Sequence, residues 1–118
     1  MAAPLNEQNL ALVAERFRLF GDVSRLRLLQ VLREGEHTVA DLTERCGMSQ
    51  ANVSKHLGIL RRGGLVAGRK EGLFVYYRVA DPTVFRLCDL MCGSIKESLA
   101  KDLATFAPTG RRAARRSR

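Results

Sequence analysis

Aromatic side chains make up only 6% of the 118 residues, and cysteine occurs just three times. Cys46, Cys88 and Cys92 are too few and too unevenly spaced for a disulfide framework, and an odd count suits a reducing compartment. Free thiols are the expected state. No stretch approaches the roughly 18 to 20 apolar residues of a membrane span, and the N-terminal residues lack the basic and apolar regions of a secretory signal. A cytoplasmic protein with no membrane partner is expected. The chain has neither a glycine-rich phosphate loop nor a nucleophile beside a candidate base, so the expectation is that it is no enzyme. Acidic residues are outnumbered, twelve Asp and Glu standing against twenty Lys and Arg for a net charge of +8. Arg111, Arg112, Arg115, Arg116 and Arg118 supply five of those charges. A positive balance attracts polyanions, of which nucleic acid is the commonest in the cytoplasm.

What is present is a chain that is 46% hydrophobic, enough for one core. The expected domain spans 1–108, followed by a disordered basic tail over 109–118 that has no large apolar residue. At this size a narrow domain gains much by pairing with a copy of itself. Leu10, Val13, Phe17 and Phe20 recur at helical spacing and predict a first helix from Asn6 to Phe20, ended by Gly21. Val23, Leu26, Leu29 and Leu32 predict a second from Asp22 to Glu34, closed by Gly35. Thr38, with Asp41 three residues on, caps a short third helix carrying Val39, Leu42 and Cys46 up to Gly47. Ser49 caps a fourth, with Val53, Leu57 and Leu60 buried and Gly63-Gly64 as its stop. After Gly64 the apolar period becomes two, which predicts a β-hairpin of Leu65 to Lys70 and Leu73 to Val79 turning at Glu71-Gly72. Asp81-Pro82 opens a long last helix with Val84, Cys88, Cys92, Ile95, Leu99 and Phe106 in one stripe, ended by Pro108.

Two short helices joined across Gly47-Met48-Ser49 read as a helix-turn-helix, whose second member can enter a DNA major groove. The outward face of that helix is short-chained and basic. Gln50 and Asn52 can bond adenine in bidentate fashion, Lys55 can reach guanine or phosphate, and the Ala51 methyl can touch thymine. Ser49, beside the helix N-terminus, suits a phosphate. Ser54, His56 and Arg62 complete the candidate DNA contacts on this helix. Arg69, Lys70 and Tyr76 join them from the hairpin, whose tip can lie along a backbone or dip into the minor groove. The competing explanation is an ordinary solvated face, with hairpin Lys and Arg serving only to discourage edge pairing.

The run SQANVSKHLGILRRGGLVAGRKEGLFVYYRV, together with GDVSRLRLLQVL at 21–32, resembles the winged-helix repressors of the ArsR/SmtB family, and the likeness extends from about Phe17 to Leu99. It implies a mainly α fold with a β-hairpin wing, a winged helix-turn-helix. It also implies a homodimer joined through the first and last helices, which binds double-stranded DNA at an inverted-repeat operator and releases it when an inducer binds. The family's thiol site transfers poorly. Where it reads E-L-C-V-C-D-L, this chain has Glu36, His37, Thr38, Val39, Ala40, Asp41 and Leu42. Its zinc site maps onto Asp81, Thr83, Ser94 and Glu97, with both histidines gone.

Cys88 and Cys92 stand four apart on one helix, so their thiolates face the same side and could share a soft ion such as As(III), Cd(II) or Cu(I). Cys46 or the partner chain could add a third sulfur. The alternative is that all three are small apolar packing residues. The resulting expectation is a DNA-binding repressor that needs no cofactor to bind its operator. It would respond to a thiophilic metal, metalloid or oxidant through Cys88 and Cys92. The rival is a winged-helix protein-interaction module with no inducer response.

Overall fold

The computed structural model describes residues 5–106. Pro108 and the basic tail lie outside them. The elements run α1 (Glu7–Phe20), α2 (Val23–Leu32), α3 (Val39–Cys46), α4 (Gln50–Arg62), β1 (Val66–Glu71), β2 (Phe74–Val79) and α5 (Thr83–Phe106). Each of the first four helices begins where a short polar side chain satisfies a backbone N–H that the helix itself leaves unpaired. Asn6, Asp22, Thr38 and Ser49 sit in extended backbone, and each accepts from the N–H three residues on, at 2.8, 3.0, 3.2 and 3.1 Å. The expected cap at Ser49, which starts the reading helix, is therefore formed.

The described residues divide into two compact units, one ending at Pro82 and the other beginning at Thr83. In the first, Leu28, Leu29 and Leu32 of α2, Leu42 and Cys46 of α3, and Val53, Leu57 and Leu60 of α4 form the core, with Leu65 and Val66 at the root of the hairpin. Fully burying one such aliphatic side chain contributes about 1.5–3 kcal/mol. The α2 stripe differs from expectation at one end. Val23 is 69% exposed and Leu28 is fully buried, so the inward face is turned by one residue toward the Leu28-Leu29 pair. On α1 the expected stripe is turned to solvent: Leu10, Val13 and Phe17 are exposed, while Leu19 is buried.

The hairpin is antiparallel, with Val66 opposite Val79 and Glu71 opposite Phe74. Its two-residue loop is Gly72-Leu73, one residue later than expected. Gly72 takes φ 62°, whereas Leu73, the second residue of this loop, does not have positive φ. A tight hairpin turn that places its left-handed residue first demands glycine there, which fixes the register and moves Leu73 from the strand to the tip. A further pairing holds the wing root: His37 and Tyr77 exchange two backbone hydrogen bonds, at 3.1 and 2.8 Å. In the second unit, α5 carries Leu90, Met91, Ile95, Leu99 and Leu103 more than half exposed. No helix among the described residues is long and apolar enough to cross a membrane.

Candidate nucleic-acid interface

Gly47 closes α3 in the left-handed conformation, φ 65°, which a side chain would strain, and this turns the chain sharply into α4. The first turn of α4 contains no acidic residue, so the positive end of the helix is not offset from within. Val53, Leu57 and Leu60 face inward. Gln50, Ala51, Asn52, Ser54 and Lys55 are all exposed, which brings the two amides, the methyl, the hydroxyl and the ammonium together over about one and a half helical turns. Ser49 Oγ accepts from the Asn52 N–H while the residue remains exposed at the helix start.

One residue of the expected set is buried beneath this surface, and another lies far along the helix from it. His56 is buried, 9% exposed, with Nδ1 3.2 Å from a guanidinium nitrogen of Arg25, so it is a floor residue and not a DNA contact. Arg62 is exposed, but twelve residues of helix separate it from Gln50, about 18 Å along the axis. It borders a depression of about 530 Å³ lined by Leu12, Arg16, Leu19, Ile59 and Gly63. Bases are read by the first turns of such a helix, so Arg62 is out of their reach.

On the wing, Lys70 is exposed and Arg69 is already engaged. Its Nε and Nη2 donate to the Glu36 carboxylate at 2.9–3.1 Å, and it also binds Glu71. The guanidinium lies 5.0 Å from the Tyr76 ring centre. Hydrogen bonding from Arg69 holds the Glu36 carboxyl below the ordinary carboxylate range. Arg69 thus ties the wing to the segment leading into α3, and Tyr76 serves as its platform. Sequence reasoning missed Glu36, whose partner is 33 residues away. It also missed the tip residue Leu73, 95% exposed beside the 58%-exposed Phe74.

The cysteines separate into two classes. Cys46 is buried, with Sγ 4.0 Å from the Arg27 carbonyl, and desolvation pushes its thiol up. Its burial is that of a packing residue. Cys88 is half-buried and Cys92 exposed, and none of the three is in a disulfide. Among the described residues no group of three or more His, Cys, Asp or Glu could hold a metal ion.

A family profile described as a helix-turn-helix domain matches residues 20–69. The chain is 40% identical over 96 residues to the probable mercury resistance operon repressor of Streptomyces lividans, covering 80% of this chain and 77% of that protein. It is 36% identical over 101 residues to the arsenic resistance transcriptional regulator ArsR1 of Pseudomonas putida, covering 81% and 78%. The chain belongs to the ArsR/SmtB family. It is a DNA-binding transcriptional regulator with a winged helix-turn-helix fold. The solution structure of the homodimeric winged helix-turn-helix DNA-binding domain Mb0332 of Mycobacterium bovis superposes with a TM-score of 0.70 at 34% identity, covering 84% of this chain and 94% of that one. At the positions matching the family's zinc site this chain keeps two carboxylates and has neither histidine. Asp81 pairs with Arg16 at 3.5 Å, and Thr83, Ser94 and Glu97 offer neither imidazole nor thiolate, so the set does not suit tetrahedral zinc.

Proposed function

We propose that the protein is a homodimeric cytoplasmic repressor without catalytic activity. Each protomer inserts α4 into one of two successive major grooves of an inverted-repeat operator, and Lys70 of each wing lies against flanking phosphates. The observation that carries this reading is the acid-free first turn of α4, with Gln50, Asn52 and Lys55 exposed on it. Homodimerisation is supported by the apolar residues that α1 and α5 each leave exposed and by the homodimeric relative. The basic tail adds sequence-independent attraction to phosphate.

Cys88 and Cys92 form the inducer-responsive element, binding a thiophilic metal or metalloid or undergoing oxidation. Relatives named for mercury and arsenic resistance support a soft inducer, and so does the i,i+4 placement of two thiols outside any disulfide. With no third ligand among the described residues of the same chain, a three-sulfur site draws its remaining donor from the partner protomer or from solution. A coupling of about 1–3 kcal/mol between this element and the reading helices changes operator affinity about 5- to 150-fold. In gel-shift titrations, C88S/C92S is expected to dimerise and bind DNA but to keep it bound in whichever of As(III), Cd(II) or peroxide releases the wild type. Equal release from both proteins assigns the two cysteines to packing.

A second reading has an observation of its own in the exposed Leu73 and Phe74 at the wing tip, which suit a protein partner. Salt dependence separates the two, since affinity for duplex DNA that rests on phosphate contacts falls steeply between 50 and 200 mM salt. Binding to mixed duplexes that is absent or independent of salt favours the protein-interaction module.

A further inference from the structure

Beneath the reading face, His56 is the one polar side chain that the first unit buries among its described residues, and the DNA-contacting set makes no use of it. Its partner is a hub. The Arg25 guanidinium donates through Nε to the Leu19 carbonyl at 2.9 Å and through Nη2 to the Arg18 carbonyl at 3.1 Å, and its Nη1 lies 3.2 Å from His56 Nδ1. The Arg25 backbone N–H donates to the Asp22 carboxylate at 3.0 Å. One planar cation on α2 therefore joins the end of α1 to the inner side of α4, while the backbone N–H of the same residue holds the cap of α2.

A guanidinium carries five N–H donors and no acceptor. The contact to His56 is a hydrogen bond only while Nδ1 presents its lone pair, which requires the neutral imidazole with its proton on Nε2. Protonation removes that lone pair and sets two cations 3.2 Å apart. The charged groups facing His56 from α2 and its cap are Arg25 and Asp22. From the other elements packed on α4, α3 buries Leu42 and the neutral thiol of Cys46, and β1 buries Val66. Asp22 already binds Arg25, so it offers the imidazolium only partial compensation.

We propose that Arg25 and His56 are positioning residues that set the rotation of α4 for base reading, and that protonation of His56 releases this setting. Operator recognition then falls on acidification while sequence-independent attachment to DNA persists. The inference rests on the DNA-reading role of α4 and deepens it. Asn52 and Lys55 precede His56 by four residues and one on the same helix, so a rotation that relieves the imidazole carries both side chains with it. Bidentate base contacts tolerate little such movement, whereas phosphate contacts tolerate it readily.

The test uses the full chain, a duplex that this chain selects from a randomised pool, and a random-sequence duplex, with fluorescence anisotropy at pH 8 and pH 5.5. The wild-type ratio of selected to random affinity is expected to fall about tenfold or more on acidification. H56Q keeps an acceptor for Arg25 and cannot protonate, so its ratio is expected to hold within about twofold. R25Q is expected to have a low ratio at both pH values, with random binding retained, and thermal melts confirm that both variants are folded. An equal pH response in wild type and H56Q, or a flat wild-type ratio, overturns the proposal. Absence of binding to either duplex at pH 8 overturns the DNA-reading role itself, a distinguishable result.

Discussion

Gln50 and Asn52 present their amides from the first turn of α4, and replacing either by Ala is expected to cost about 1–3 kcal/mol on the preferred duplex and to relax base choice there. Affinities across single-base operator variants check this. Asp22 offers a test by pH. Its carboxyl is held below the ordinary value of 3.8, chiefly by the backbone N–H of Arg25 and further by the nearby charge of Arg25. The folded state therefore binds fewer protons than the unfolded one, so this contribution is complete above 3.8 and is lost as the pH falls through the lower folded value. D22N, which keeps a cap acceptor without the charge, is expected to flatten the acid limb of a urea-midpoint curve between pH 5 and 2. Not every residue was legible in the same way. Ser49 could be read because its partner is three residues away, and a cap is local chemistry. His56 could not, although at 100° per residue it lies only 60° from Val53, at the edge of the buried arc. An imidazole takes that position because Arg25, 31 residues distant, supplies the hydrogen bond that burial demands.

The wing is an element whose place depends on few contacts. Its strands pair with each other, its root pairs with His37, and Arg69 ties it to Glu36. Removing the charge in E36Q is expected to leave the melting temperature nearly unchanged, because an exposed ion pair contributes little to global stability. The same change should loosen the wing, and faster amide hydrogen exchange through Val66–Glu71 and Phe74–Val79 than in the wild type is the measurement that shows it. Exchange rates unchanged in both strands would mean that the His37–Tyr77 bridge alone holds the wing. The two strands were readable from alternation and β-branched residues. Their register was not, because Glu71-Gly72 and Gly72-Leu73 are both plausible by composition, and only the requirement for positive φ at the first loop position separates them.

At the scale of the whole molecule, the unusual property is how much apolar side chain stays in water within one protomer. Leu12 and Phe17 on α1, and Leu90, Ile95, Leu99 and Leu103 on α5, are each more than half exposed. Such surfaces are those of a protomer awaiting a copy of itself. L99E introduces a charge on this face and is expected to shift the protein to monomer by sedimentation velocity. Operator affinity should fall with it, since two half-sites can no longer be bound as one unit. A dimer that survives L99E unchanged would place the contact elsewhere.

The sequence by itself determined the elements and their order. Caps, glycine stops and apolar periods act within a few residues, and the resemblance carried by residues 21–32 and 49–79 identified the family from the same local text. It also determined which side chains of α4 face outward, because helical periodicity alone sorts Ala51, Ser54 and Lys55 from Val53, Leu57 and Leu60. Tertiary structure decided which cations are also engaged within the fold, since Arg69 and Arg25 find partners 33 and 31 residues away. It decided how deeply Cys46 is buried, and the desolvation there raises its thiol. Pairing across such distances depends on how the core of α2, α3 and α4 closes, and that closure is a property of the assembled chain, which no window of local sequence contains.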